Sequence, residues 1–173
     1  MIYTVECDYS SAETEAAWND FYTLNKLPAL IHVNGFLTSQ RFITENEAHP
    51  AYLAVHSIRN ADILISDDYR RKGGGNFAKW QDCITNWRRN TYCGIQFAPP
   101  VNNNEYLLLS TKNEPILSEL GINSYLLQAT SLDKNPEKRW LAKIHHSQWQ
   151  SVNSLFSQDT CVYRPLTTQL TAA

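Results

Sequence analysis

The sequence predicts an α+β protein: two tandem ferredoxin-like β-α-β-β-α-β repeats, the second degenerate, packed together as an α+β barrel. Three observations predict it. Segments with apolar residues at every second position alternate with segments of helical periodicity, and across residues 1–97 they follow the order β-α-β-β-α-β. An abbreviated copy of that order occupies residues 106–173. Between them lies "APPVNNNE" (98–105), whose two prolines and three asparagines read as a linker. A single sheet of this type leaves one face bare, and a large bare apolar face is not tolerated, so two such sheets are expected to pack face to face around a cavity.

The elements follow in order. "IYTVECDY" (2–9) sets Tyr3, Val5 and Cys7 on one face and Thr4, Glu6 and Asp8 on the other, a strand with one apolar face. Ser10 and Glu13 have capping-box spacing, and Ala17, Trp18, Phe21 and Leu24 repeat at helical spacing. Pro28 breaks or kinks this helix, and Asn34-Gly35 marks a turn. "GFLTSQRFIT" (35–44) and "AYLAVHSI" (51–58) read as strands, joined by a polar stretch containing Pro50. Residues 61–84 start as a helix interrupted by Gly73, Gly74 and Gly75, and 86–97 form a fourth strand. In the second copy, 106–112, 124–132, 139–145 and 160–166 read as strands, with helices over 113–121 and 147–157.

The totals narrow the function classes. The 173 residues are 43% hydrophobic and 18% charged, which suits a globular chain. A net charge of −2 gives no broad attraction to nucleic acid or anionic lipid, and neither "AYLAVHSI" nor "RWLAKIH" fits the aromatic strand motif of an RNA-recognition module. No apolar run reaches the ~18 residues a membrane span needs. "MIYTVECDYS" has no basic n-region, so a cytoplasmic location is expected. The four cysteines form no C-x-x-C pair, so neither a metal nor another cofactor is expected.

The segments "FYTLNKLPAL", "NGFLTSQRF", "YLAVHSI" and "YRRKGGGNFAKW…NWRRNTY" together give the first half a pattern that resembles the dimeric α/β-barrel superfamily, and within it small EthD-like proteins. The resemblance implies a pocket for a small, often aromatic, organic molecule. The families concerned include cofactor-independent oxygenases, isomerases, polyketide cyclases and haem-handling proteins. Relatives often carry W/F-Y-x-x-x-H-x-P, whereas this chain has Lys26 at the histidine position. His32, six residues on, is a substitute on another helix face.

Candidate chemistry gathers on the strands. His56 shares a strand face with Tyr52, a pair that could shuttle a proton to or from a phenol or enol; the plain reading is a strand histidine satisfied by a polar neighbour. Glu6 and Arg41 are expected on neighbouring strands, where Glu6 could act as base while Arg41 holds an oxyanion; facing outward they would be a surface ion pair. In "NWRRNTYC", Arg88, Asn90 and Tyr92 share one face and Arg89 the other, so only one arginine can look into a cavity. The first trio would make a polar wall for an anionic aromatic ligand. Trp80 and Trp87 are expected on the sheet edge, with an arginine stacked on an indole. "RRKGGGNF" lacks phosphate-loop order and reads as a loop over the cavity mouth. His145 and His146 read as a strand-to-helix junction.

The functional expectation is therefore cofactor-independent binding of a small hydrophobic or aromatic metabolite in a barrel cavity. Its transformation would be proton transfer, isomerisation, cyclisation or oxygenation. His56, Tyr52 and Glu6 are the catalytic candidates, and Arg41, Trp80, Arg88, Asn90, Tyr92 and His32 the binding ones. The alternative is a non-catalytic carrier, sensor or assembly protein of the same fold. Both fit a monomer whose two halves form a pseudo-dimer, or a homodimer.

Overall fold

The computed structural model describes residues 1–45, 48, 50–111, 114–152 and 159–173. Its centre is a closed antiparallel barrel of eight strands: β1 (Ile2–Tyr9), β2 (Phe36–Thr44), β3 (Tyr52–Ile58), β4 (Ile84–Cys93), β5 (Glu105–Ser110), β6 (Ser124–Leu132), β7 (Lys138–His145) and β8 (Thr160–Pro165). Around the ring the order is β3-β1-β4-β6-β7-β5-β8-β2, and β2 closes back onto β3. A two-residue strand, β9 (Leu170–Thr171), adds to β2. The order within residues 2–93 is β2-β3-β1-β4, and within 105–165 it is β6-β7-β5-β8, with the halves joined at β4–β6 and β2–β8.

Closure encloses the inner face of the ring, and on β1 and β3 the helical layer buries the outer face as well. Tyr3, Val5 and Cys7 face outward under helices, as the alternation of β1 requires, but Thr4 and Glu6 are buried as well, inside the barrel. The expectation of one apolar and one solvated face holds for an open sheet; a closed ring has no solvated inner face. The barrel interior holds Ile2, Phe42, Leu53, Val55, Tyr92, Leu107, Leu109, Leu127, Leu141 and Tyr163. Outside β1–β4 lies the larger aromatic layer, where Trp18, Tyr22, Tyr69 and Phe77 pack on Tyr3, Phe36 and Tyr52. A smaller layer covers the other half, with Leu117 and Ile122 on Leu108, Ala142 and Val162.

The helices depart from their sequence pattern in one informative place. The chain after β1 forms α1 (Glu15–Phe21), a π-helical turn (Tyr22–Lys26) and α2 (Leu27–Ile31). A π turn inserts a residue into the helical ladder and rotates everything beyond it. Leu24, in line with the exposed Ala17, is 69% exposed, Trp18, Tyr22 and Lys26 at four-residue spacing face inward, and beyond the π turn Leu27 joins them. The capping box is not used either. Thr14 precedes α1 without a side-chain cap, and the Ser10 hydroxyl donates to the Cys83 carbonyl instead. Residues 61–84 form two short 3₁₀ segments and α3 (Asp67–Arg71) rather than one interrupted helix. In the second half α4 (Glu114–Glu119) and α5 (His146–Val152) fall where helices are expected; Lys112, Asn113 and residues 153–157 of those readings lie outside the described residues, as do 46, 47 and 49 before Pro50.

The 98–104 segment is exposed at Pro100 and at Asn102, Asn103 and Asn104 but anchored at two positions. Ala98 and Val101 are buried in the barrel core, Gln40 Nε2 donates to the Val101 carbonyl at 2.7 Å, and the Ala98 amide donates to Ser57 Oγ at 2.9 Å. Together they plug one end of the barrel. Gly35 makes the turn into β2 at φ +98°, and a Cβ there would stand 2.3 Å from Ile63 Cδ1. Gly35→Ala is therefore expected to cost about 1–3 kcal/mol through left-handed strain and the clash. The shift in urea midpoint measures it, with Gly73→Ala, whose Cβ meets nothing within 4 Å, as the milder comparison.

Candidate functional site

The end of the barrel opposite the plug holds a cavity of about 180 Å³. Its floor is a buried ion pair: Arg139 Nη2, from β7, donates to Glu6 Oε1, from β1, at 2.5 Å, with both side chains 4% exposed. The Arg139 guanidinium also sits 5.2 Å from the centre of the Tyr92 ring. Pro50, Leu109, Pro136 and Tyr163 supply apolar wall, and Arg88 and Ser110 stand with them. Burying a charge pair is costly unless partners satisfy it, and here one donor, Arg139 Nε, has no partner among the described residues. Arg88 makes no ion pair among the described residues.

The ionisation states follow from burial and these charges. Burial opposes the charge on Arg139, but the Glu6 charge and hydrogen bond, with Tyr92 and Tyr163, together raise its pKa. Burial, then the Glu6 charge, pushes the Tyr163 phenol well above its ordinary value. Burial likewise raises Tyr92 to about 12, against the opposing charge of Arg139. The cavity wall thus carries two acidic side chains, Glu6 and Asp159, two arginines, Arg88 and Arg139, and the Tyr163 phenol, with Tyr92 beneath Arg139. That set can hold an anionic oxygen, and it can accept a proton only at a carboxylate.

The residues singled out from sequence divide between the two faces of the sheet. Glu6, Arg88, Asn90 and Tyr92 point into the barrel. Glu6 and Arg88 line the cavity, and Tyr92 donates to the Pro136 carbonyl at 3.1 Å. Asn90 is tied to the backbone of Asn135 in both directions, at 2.9 and 3.0 Å, and holds the β6–β7 connection. Arg89 lies on the outer face, its guanidinium 5.0 Å from the Trp87 ring. Glu6 and Arg41 are not on neighbouring strands: β3 separates β1 from β2, and the two side chains leave opposite faces. Arg41 instead binds the Asn19 carbonyl, the Asn19 side chain and Thr23 Oγ1 at 2.7–3.1 Å beside the π turn, over the Tyr22 ring at 4.2 Å.

His56 and Tyr52 also face the helical layer, away from Glu6. Tyr52 donates to Glu15 Oε1 at 2.8 Å and accepts from Asn19 Nδ2 at 2.9 Å, which secures α1 to β3. The His56 Nδ1 is 2.8 Å from Ser39 Oγ, and its ring stacks on Tyr3 with centroids 5.4 Å apart. Burial, then the Lys26 charge, lowers its pKa to about 3, so it is neutral in the fold. Trp80 lies at the surface of this layer, 6.4 Å from Phe21, and His32 is exposed, with Nδ1 2.6 Å from the Pro28 carbonyl. The Gly73–Gly75 loop covers this layer too, away from the barrel mouth. Arg139 and Tyr163 escape a sequence reading that weighs only the first half. Their signal is faint: Arg139 shares a strand face with Leu141 but also with Lys143 and His145 in "RWLAKIH", and Tyr163 shares one with Cys161 in "TCVYRPL". Among the described residues no three His, Cys, Asp or Glu side chains converge as a metal-binding group.

No family model and no curated protein matches the chain. Solved structures do. An "anthrone oxidase-like protein" superposes with a TM-score of 0.62 at 9% identity, over 99% of this chain and 92% of that one. A "putative monooxygenase" from Fusobacterium nucleatum gives 0.54 at 11% identity, over 96% and 93%. Another "putative monooxygenase", from Lactobacillus acidophilus, gives 0.50 at 9% identity, over 96% and 94%. At these identities the likeness is one of fold alone.

Two outcomes test this arrangement. Arg139→Met strands the Glu6 carboxylate and is expected to cost ~3–5 kcal/mol in urea unfolding, while adding Glu6→Leu recovers most of the loss. His56 stays neutral in the fold, but in the unfolded chain it takes up a proton below its ordinary pKa of about 6.5. Its contribution is complete above that pH and is lost as the pH falls toward 3, by at most ~1.4 kcal/mol per unit. Stability measured from pH 7 to 4 should therefore fall less steeply in His56→Gln than in the parent.

Proposed function

We propose that the chain binds a small aromatic or short-chain organic anion in the barrel-end cavity, without a cofactor, and transforms it by a step that begins with proton removal. The observation that carries this reading is the buried Glu6–Arg139 pair lining a cavity to which Arg88, in no ion pair among the described residues, adds a second cation, with Asp159 elsewhere on the lining. A carboxylate or phenolic oxygen of the ligand meets Arg88, its ring meets Leu109, Pro50 and Pro136, and Glu6 is the base. As the proton leaves, charge grows on an oxygen that Arg139 is placed to stabilise. A volume of about 180 Å³ suits a ligand of one ring. Isomerisation, cyclisation and oxygenation share this first step, and the names of the structural neighbours favour oxygenation among them.

Tyr92 belongs to this site as the ring beneath Arg139, and Asn90 as the residue that sets its rim. His56, Tyr52, Arg41, Trp80 and His32 belong to the helical layer and its surface, where we assign them no contact with this ligand. The matching strand order in residues 2–93 and 105–165 supports a duplicated ferredoxin-like unit with 98–105 as its junction, so one chain supplies both halves of the barrel. The second reading, a non-catalytic carrier or sensor, draws on Lys26 at the position where relatives often have histidine and on the sealed, neutral His56.

A thermal-shift and calorimetric screen of substituted benzoates and phenols tests the reading. One-ring acids are expected to bind, and Arg88→Ala to weaken them ~10–100-fold, the usual worth of a charge-assisted hydrogen bond. Glu6→Gln should retain binding and abolish turnover. Binding unchanged in Arg88→Ala would remove the site; binding without turnover in the parent would favour the carrier.

A further inference from the structure

Lys26 ends the π turn, faces the helical layer and is 7% exposed. A buried ammonium ordinarily acquires a carboxylate partner. Lys26 has none among the described residues: its Nζ donates to the backbone carbonyls of Gly73 and Asn76, and it lies 5.2 Å from the Phe77 ring centre and 5.8 Å from that of Tyr22. The titratable groups facing it are His56 from β3, Tyr3 from β1, Tyr22 from the π turn, Tyr69 from α3 and Arg89 from β4, and not one is acidic. Two carbonyl acceptors match the two hydrogens of a neutral amine and leave its lone pair free. Burial lowers its pKa to about 8, in keeping with that geometry.

On its outer side Lys26 lines a groove of about 400 Å³. Phe21 and Ala29 give the groove apolar wall, and Arg71 and Lys72 give it a cationic one in which both cations share the single carboxylate of Asp68, at 3.8 and 3.0 Å. We propose that Lys26 is a reactive amine that forms a reversible imine with a small apolar aldehyde or ketone bearing a carboxylate, seated in this groove. The amine lone pair attacks the carbonyl carbon, the C=O π pair moves to oxygen, and that oxygen takes up the proton the nitrogen gives up. Loss of water from the carbinolamine completes the C=N bond, and no oxidant or reductant is consumed. Asn25 and Asn76 line the same groove, and the Asn76 carbonyl accepts from the reacting nitrogen. This site is separate from the barrel-end cavity, on the other face of the sheet.

Incubation of the whole protein at pH 7.5 with 4-formylbenzoate and sodium cyanoborohydride, followed by peptide mapping, tests the proposal. Lys26 is expected to be alkylated at least ~10-fold faster than the exposed Lys134 and Lys138, because an ordinary lysine of pKa ~10.4 is almost wholly protonated at that pH. Uncharged benzaldehyde should react several-fold more slowly at Lys26, and Lys26→Met should lose the fast adduct alone. Labelling of Lys26 at or below the rate of Lys134 overturns the proposal, and the map of the parent protein decides it even where the variant fails to fold. Ligand binding that depends on Arg88 is read separately, so failure at one site is not failure at the other.

Discussion

Closure of the sheet is the constraint on which the rest of this structure depends. An eight-stranded ring has no free edge, and the price is that every strand has an inner face that water does not reach. Most inner positions answer with Leu, Val, Phe or Tyr, but Glu6, Arg139, Asn90 and Gln40 do not. Each of these must find its partner inside the ring. Asn90 and Gln40 find backbone, and in doing so they fix the connections at 135 and 101. Glu6 and Arg139 find each other across 133 residues of chain, so the pair forms only when both halves are in place.

That requirement links fold to site. Residues 98–101 enter one end of the ring and fill it, whereas the other end is left with a charge pair that apolar side chains cannot crowd. A cavity persists where polar groups must keep their geometry, and it is there that a ligand can exchange solvent for fixed donors. The aromatic layer outside β1–β4 does the opposite. Tyr3, Trp18, Tyr22, Phe36, Tyr69 and Phe77 pack so closely that His56 is sealed among them and stays neutral. The two faces of one sheet have thus taken different tasks, packing outside and charge inside.

Helix α1 shows how one backbone irregularity redistributes side chains. The π turn brings Leu27 onto the side already held by Trp18, Tyr22 and Lys26, and Arg41 secures the turn through Asn19 and Thr23. Lys26 on that side is an interior amine beneath the Gly73 and Asn76 carbonyls. Nothing in "FYTLNKLP" announces the π turn, because the choice between α and π hydrogen bonding is set by what the helix packs against.

By itself the sequence determined the strands, since alternation is a local property: all eight barrel strands overlap the segments the pattern marks, although β4 ends at Cys93 where 97 is expected, and Arg88, Asn90 and Tyr92 share a face separate from Arg89 for the same reason. It also determined that helices accompany them and that Asn34-Gly35 makes a turn. Only the tertiary structure decided which face looks inward, that β3 lies between β1 and β2, that 98–101 is a plug, and that Glu6 meets Arg139 instead of Arg41. Those outcomes depend on contacts between residues far apart in the chain, and a period of two residues carries no information about which of its two faces will be enclosed.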